Sequence, residues 1–300
     1  MNIQGVVFAL SLLLVALLAR AASDVPSPDQ VEAERLSPGQ HLLRELTARY
    51  EATPARCADG DAAYKCSGVM LRGTRQNLPE GQYAWEPYPR GRTLDTSFTF
   101  VRADIRISRL AWHYSNGFII DPPQELSVNC FFPIDAVSDE RLDNGCGANR
   151  SHRYTYSLCE TLLADATAMD RDSEEYRWTT DQLAELWLEW DRHFAGDLRR
   201  RCSYALNDAH ATQRFEIALA VAAKASRLTD KPNDMKVQTW SPGYDPRLPI
   251  RAFFYLNDQG RPFAERDREQ FERVTGMHLP IIKVLIAGEG ERNFVFEFLE

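Results

Sequence analysis

Hydrophobic and polar residues change their spacing several times along the chain, and each spacing predicts a different element. Near the start, residues 39–52 read GQHLLRELTARYEA, with apolar side chains at the intervals of one α-helical face. These side chains are Leu42, Leu43, Leu46 and Tyr50. Ser37 and Pro38 precede them, and a serine cap followed by proline favours a helix start.

The chain from Cys66 to Phe131 changes to short runs that are typical of β-strands. These runs are SGVMLRG, TSFTFVRAD, GFIID and ELSVNCFF, and loops that contain proline or glycine separate them. Residues 135–156 are polar and glycine-containing, and they are predicted to form a loop held by cysteine.

The second half of the chain alternates between helical and strand patterns. The predicted helices are residues 180–195, 209–226 and 265–275. The predicted strands are residues 235–240 and 250–257 and the runs LPIIKVLIA and NFVFEFLE. Gly196 and Gly276 end the first and the last helix. Because no repeat or Pro- or Gly-rich linker interrupts residues 57–300, we expect one α+β domain there.

The first residues of the chain indicate export. An apolar run covers residues 6–18, which is shorter than the roughly 20 residues that span a bilayer. Small residues after it favour cleavage following Ala21. We therefore expect a signal peptide at 1–21, a leader and N-terminal helix at 22–56, and a catalytic-type domain at 57–300. The mature protein is expected to be secreted, extracellular or periplasmic, with no membrane attachment after cleavage.

Six cysteines follow the expected cleavage site, and their even number agrees with export. They are Cys57, Cys66, Cys130, Cys146, Cys159 and Cys202. In an oxidising compartment this number favours three disulfides, each of which would contribute about 2–4 kcal/mol to stability. The spacing fits no zinc site, so no metal is expected, and the pairing remains open.

The formal net charge is −8, from 43 acidic and 35 basic residues. An acidic protein lacks the positive field that supplies most non-specific affinity for nucleic acid, so we expect no nucleic-acid partner. The motifs GxSxG, GxxxxGK[ST] and HExxH are absent, which argues against a hydrolase nucleophile elbow, a phosphate loop and a zinc-protease helix.

Two predicted strands carry polar residues in unusual places. Arg72 ends the apolar run VML, and it is either a structural charge or a binding group for an anion, because an unpaired buried charge is costly. Ser97 and Thr99 are two residues apart and therefore share a face, opposite Phe98 and Phe100. That hydroxyl face either is solvated or lines a cleft.

Asp234, after Asn233, lies just before the predicted strand at 235–240. The order along the chain is thus an arginine at a strand end, two hydroxyls on a strand, and a carboxylate that opens a later strand. This order resembles that of the ADP-ribosyltransferase toxins, which bind NAD in a cleft between two small, mainly antiparallel sheets.

The chain resembles the halovibrins more closely, a family of exported bacterial proteins regarded as NAD-glycohydrolases related to those toxins. The resemblance covers roughly residues 66–282. It rests on CSGVMLRGT, SFTFVRAD, VNCFFPIDAVSDERLDNGCG, PND before a strand ending in Trp240, LPIRAFFYLNDQGRPF and FERVTGMHLPI. It implies an ADP-ribosyltransferase-like α+β fold of mainly antiparallel sheets with flanking helices, with NAD as substrate and no bound cofactor.

The resemblance also implies roles for individual residues. Arg72 would bind the diphosphate of NAD, since its planar donors match phosphate oxygens. Ser97 and Thr99 would bind the substrate or fix the carboxylate. Asp234 would stabilise the positive charge that develops on the ribose as the bond to nicotinamide breaks.

Asp234 departs from the toxin pattern, which has a glutamate at this place. Aspartate would withdraw the carboxylate by roughly 1 Å, a displacement that can cost about 100-fold in rate. Either the backbone compensates, or the chain is slow or inactive, or the carboxylate lies elsewhere, with Glu216 as the reserve candidate. Trp85 and Tyr83 either stack on a flat ring of the substrate or pack within the protein.

The sequence therefore predicts a secreted NAD-glycohydrolase that cleaves the bond between nicotinamide and ribose. Water or a protein acceptor would receive the ADP-ribose, so NAD and such an acceptor are the expected partners. The alternative is a catalytically inactive, secreted and disulfide-stabilised binding module of the same fold.

Overall fold

The computed structural model of the chain describes residues 37–78, 82–85, 95–110, 114–120, 128–134, 185, 203–207, 209–227, 232–238, 249–286 and 294–298. The chain forms two units, Met1–Leu42 and Leu43–Glu300. Outside the described residues lie the predicted signal peptide, the leader up to residue 36, the loop at 135–156 and, apart from Glu185, the helix at 180–195. No helix among the described residues is long and apolar enough to cross a membrane.

Three described helices follow the apolar spacing of the sequence. Their bounds are Pro38–Glu51 for α1, Ala211–Ala225 for α2 and Arg261–Thr275 for α3. α3 begins before the predicted start at Glu265, because Pro262 occupies its first turn, where a missing N–H group costs little. Gly276 ends α3 as predicted, at a positive φ of 72° that glycine adopts without strain.

Nine described strands form one sheet. Their bounds are Val69–Gly73 for β1, Asp95–Val101 for β2, Asn116–Ile120 for β3, Val128–Phe132 for β4, Tyr204–Ala205 for β5, Asp234–Gln238 for β6, Ile250–Tyr255 for β7, Ile281–Ile286 for β8 and Phe294–Phe298 for β9. The order across the sheet is β5-β4-β6-β2-β1-β3-β7-β8-β9. Within it, β7 and β8 pair in parallel with α3 between them in the chain, and the other neighbours are antiparallel. The predicted α+β class is confirmed.

The strand that carries Asp234 differs slightly from its predicted bounds. Asp234 lies inside β6 rather than just before it, because it pairs with Phe132 across the β4–β6 ladder. β6 ends at Gln238, and Trp240 lies outside the described residues. The carboxylate is therefore carried by regular strand backbone.

β1 and β2 separate from each other next to Arg72. They pair at three positions, which are Val69↔Val101, Met70↔Phe100 and Leu71↔Thr99. Beyond these positions β1 continues along β3, with Arg72 opposite Phe118. β2 instead pairs with β6, with Ser97 opposite Lys236. We call this divergence of β1 from β2 the fork, and it places Arg72 on one branch and Ser97 on the other.

Aromatic side chains pack the sheet against α2. Phe215 of α2 meets Phe100 and Phe131 of the sheet with ring centroids 5.7 and 5.5 Å apart, and it meets Tyr64 at 5.1 Å. Burying one such phenylalanine contributes about 1.5–3 kcal/mol to stability. This packing fixes β2, and with it one branch of the fork.

Cys57 and Cys66 form a disulfide just before β1, with Cα atoms 5.8 Å apart. Cys130 in β4 is disulfide-bonded as well, and none of the described cysteines is free. The cysteines outside the described residues are Cys146, Cys159 and Cys202. One disulfide thus has both of its cysteines among the described residues. The presence of three disulfides stays a prediction.

Candidate functional site

Asp234 and Lys236 form a buried ion pair on β6. The residues are two apart on a strand, so their side chains leave the same face. Lys236 Nζ lies 2.8 Å from Asp234 Oδ2, and the lysine and aspartate side chains are 3% and 5% exposed. The other carboxylate oxygen, Oδ1, is buried and has no hydrogen-bond partner in the described structure. A buried acceptor without a partner is costly, so Oδ1 is available to a ligand donor.

Ser97 connects this ion pair to β2. It lies directly opposite Lys236 in the β2–β6 ladder, and Lys236 Nζ donates a hydrogen bond of 2.5 Å to Ser97 Oγ. The ammonium group therefore bridges the hydroxyl of Ser97 and the carboxylate of Asp234. Two acceptors offset part of the cost of burying the lysine charge.

Arg72 lies across the fork from these residues. Its Nη1 donates a hydrogen bond of 2.8 Å to the main-chain oxygen of Ser97. Burial lowers the pKa of the Arg72 guanidinium below its ordinary range, while the nearby Tyr114 and Asp234 act in the opposite direction. Arginine carries five donors and stays protonated in proteins. Within the described residues its other donors make no hydrogen bond, which leaves them for an anion.

Two glycines allow the strands to approach each other beside Arg72. A Cβ atom on Gly117 would lie 1.8 Å from the Arg72 carbonyl oxygen, and one on Gly73 would lie 2.5 Å from Cβ of Tyr114. Any larger residue at Gly117 would push against main-chain atoms that have little freedom to move. The pair Arg72-Gly73 is thus explained by the tight packing of β1 against β3 and against Tyr114, which lies two residues before β3.

We refer to Arg72, Ser97, Asp234 and Lys236 as the fork cluster. The first three of these residues were predicted from the sequence to share a site, and the fold brings them together. The cluster holds two cations and one carboxylate, so it is suited to an anionic ligand. Within the part of the chain that the structure describes, Oδ1 of Asp234 has no hydrogen-bond partner, so a ligand donor would satisfy it.

Thr99 and Glu216 take other positions. Thr99 is 4% exposed and lies opposite Leu71, where β1 and β2 are still paired. Glu216 is on α2, and its Oε2 lies 2.7 Å from Nη2 of Arg56. The glutamate and arginine side chains are 31% and 51% exposed, which describes an ion pair near the surface. Among the described contacts, none joins Thr99 or Glu216 to Asp234.

Tyr83 and Trp85 stack on each other, with ring centroids 5.0 Å apart and planes 11° apart. Trp85 also meets Phe271 of α3 edge-on at 5.1 Å, and it is 8% exposed. These contacts place Trp85 in the packing between its loop and α3. The indole Nε1 of Trp85 is buried and has no hydrogen-bond partner in the described structure.

Sequence reasoning missed Lys236, although a signal for it was present. Lys236 follows Asp234 at the strand period of two, so a shared face was predictable as soon as 235–240 was assigned to a strand. Its near-complete burial was not predictable, because lysine is rarely buried without a partner.

Sequence reasoning also missed a buried polar group around Asp267 of α3. Asp267 is 1% exposed, and its carboxylate accepts hydrogen bonds from Arg266 at 2.9 Å and from Asn116 at 3.4 Å. Burial raises the pKa of the Asp267 carboxyl above its ordinary value of 3.8, against the opposing effects of Arg266 and Thr74. The signal was its position on the apolar helix face of Phe271, four residues on. These contacts attach α3 to the ends of β1 and β3.

Within the described residues, no group of three or more histidine, cysteine, aspartate or glutamate side chains is placed to hold a metal ion. Comparison of the chain with protein-family models, with curated proteins and with solved structures gave no match.

Proposed function

We propose that this protein is an exported NAD-glycohydrolase with an ADP-ribosyltransferase-like fold. The observation that carries the proposal is the convergence of Arg72, Ser97 and Asp234 at the fork. The resemblance depends on the order of these residues along the chain. Their proximity depends on the register of the sheet, which is a separate observation. The divergence of β1 from β2 supports a cleft between two branches of the sheet.

In the proposed reaction, the bond between C1′ of the ribose and the nicotinamide nitrogen breaks, and its electron pair leaves with nicotinamide. The ribose then has oxocarbenium character, and a nearby carboxylate stabilises the developing positive charge. Asp234 would take this role, because its Oδ1 has no hydrogen-bond partner in the described structure and would accept a hydrogen bond from the sugar. Water adds to C1′ and releases a proton, which gives ADP-ribose.

Arg72 would hold the diphosphate of NAD. Its planar guanidinium donors match the geometry of phosphate oxygens, and its hydrogen bond to the Ser97 carbonyl fixes the side chain in advance. A protein nucleophile in place of water would give transfer of ADP-ribose by the same bond cleavage. Secretion belongs to the proposal as well, and the Cys57–Cys66 disulfide supports it.

One observation favours the alternative of a non-catalytic binding module. The charge of Asp234 is already paired with Lys236, and the carboxylate is 5% exposed, so it attracts a cationic sugar less than a free carboxylate would. A module of this kind would still bind the anionic part of a nucleotide at Arg72.

The two candidates are separated by incubating the purified, oxidised protein with NAD and measuring the nicotinamide released. We expect release by the wild type and by Glu45→Gln, which removes a carboxylate from an exposed ion pair with Arg251. Release should be almost lost in Asp234→Asn. Binding of ADP-ribose without any release of nicotinamide, at high protein concentration, would establish the binding module instead.

A further inference from the structure

We infer that Lys236 is a positioning residue, which fixes the Asp234 carboxylate for reaction and is itself anchored by Ser97. This inference rests on the proposed function. The toxin motif described above consists of an arginine, hydroxyls and a carboxylate. Lys236 has no counterpart in that motif.

Lys236 bridges Asp234 and Ser97. The ammonium group of Lys236 lies 2.8 Å from Asp234 Oδ2 and donates to Ser97 Oγ at 2.5 Å. Ser97 belongs to a different strand, so the bridge ties the carboxylate to β2 as well as to its own strand. A carboxylate held at one oxygen by a charged donor has little freedom to rotate.

The two carboxylate oxygens of Asp234 have different surroundings. Oδ2 is taken by Lys236, whereas Oδ1 is buried and has no partner in the described structure. The lysine thus selects which oxygen of Asp234 is left for the substrate. In the described structure the polar partners of Nζ are Asp234 Oδ2 and Ser97 Oγ, so Lys236 acts on the substrate through Asp234.

The side chain of Asp234 is one methylene shorter than the glutamate of the toxin motif. A carboxylate displaced by about 1 Å can lose about 100-fold in rate, so an aspartate in place of a glutamate needs accurate placement. Strand backbone and the Lys236 bridge together supply two fixed points for it. Accurate placement of the carboxylate is the benefit that offsets the cost of burying a lysine beside the site.

The test compares kcat and KM for nicotinamide release in wild type, Lys236→Met, Asp234→Asn and the double variant. We expect kcat of Lys236→Met to fall by about 100-fold, the cost of a misplacement of about 1 Å, with KM unchanged. The double variant should be no slower than Asp234→Asn, because a residue that acts through Asp234 has nothing left to position. Lys283→Met is the matched control, since Lys283 is a strand lysine paired with Glu297 at 3.3 Å.

Ser97→Ala provides a second variant, which leaves the ion pair in place should Lys236→Met fail to fold. It removes the anchor of Lys236, so kcat should fall less than in Lys236→Met while KM is unchanged. Unchanged kcat in the folded variants, or a rise in KM alone, would overturn the inference. So would a loss in the double variant equal to the product of the single losses. If the wild type releases no nicotinamide, the proposed function is wrong. The inference about Lys236 depends on that function and would be wrong as well.

Discussion

Asp234→Asn is the substitution that tests the fork cluster most directly. The amide has nearly the size of the carboxylate, but it removes the negative charge that lies 2.8 Å from Lys236 Nζ. It also leaves no charge to stabilise the ribose in the proposed reaction. By analogy with the loss of one group that stabilises transition-state charge, we expect turnover to fall by at least about 100- to 1000-fold.

Asp234→Asn should also lower the free energy of unfolding. Lys236 is 3% exposed, so its ammonium group would stay buried opposite a neutral amide. Removing one partner of a buried ion pair costs about 3–5 kcal/mol of the free energy of unfolding. The hydroxyl of Ser97 still accepts from Nζ, which favours the lower end of that range. Urea unfolding measures this loss, and turnover must be expressed per folded molecule.

Asp234→Glu separates charge from length. It keeps the carboxylate and restores the residue of the toxin motif, so turnover per folded molecule should be kept or raised. The added methylene has to fit where the side chain is 5% exposed, and such overpacking costs about 1–3 kcal/mol. A variant that is less stable but at least as active would support the assigned role.

If Asp234→Asn keeps more than about half of the wild-type turnover, the catalytic role assigned to Asp234 is wrong. The amide keeps the shape of the carboxylate but not its charge, so that result would mean that turnover does not depend on the negative charge of Asp234. Glu216→Gln would then be measured next. Its ion pair with Arg56 is partly exposed, so this second substitution should leave the fold intact.

Three further substitutions test Arg72 of the cluster and two residues outside it. Arg72→Lys keeps the charge but loses bidentate geometry, so nicotinamide release should fall by about 10- to 1000-fold while the fold survives; a lower melting temperature with normal turnover would make Arg72 structural. Gly117→Ala places a Cβ atom 1.8 Å from the Arg72 carbonyl oxygen, and urea unfolding should show a loss of about 1–3 kcal/mol, whereas no loss would contradict the tight approach. For Asp267 the folded-state pKa is raised from 3.8, so its contribution to stability is fully present below that value and is lost as pH rises through the folded pKa. Asp267→Asn should therefore gain stability relative to wild type as pH rises above 3.8 in unfolding measurements at several pH values, and a constant difference would contradict the raised pKa.

Local spacing of apolar residues is sufficient to predict most of the described helices and strands. The apolar spacing before Tyr50 predicted α1, and the run that ends at Arg72 predicted β1, because helix and strand periods follow from local backbone geometry. The same period predicted that Ser97 and Thr99 share one face of β2, away from Phe98. Proline in the first turn and glycine after the last turn act locally as well, which is why the end of α3 was predicted at Gly276.

Only the tertiary structure decided which polar side chains meet. Ser97 and Lys236 are 139 residues apart in the chain, and their contact depends on the register between β2 and β6. A shift of that register by one residue would turn one set of side chains to the other face. Register is set by burial over the whole sheet, and local spacing contains no information about it. For the same reason the sequence could not separate Asp234, buried beside Lys236, from Glu216, paired with Arg56 near the surface.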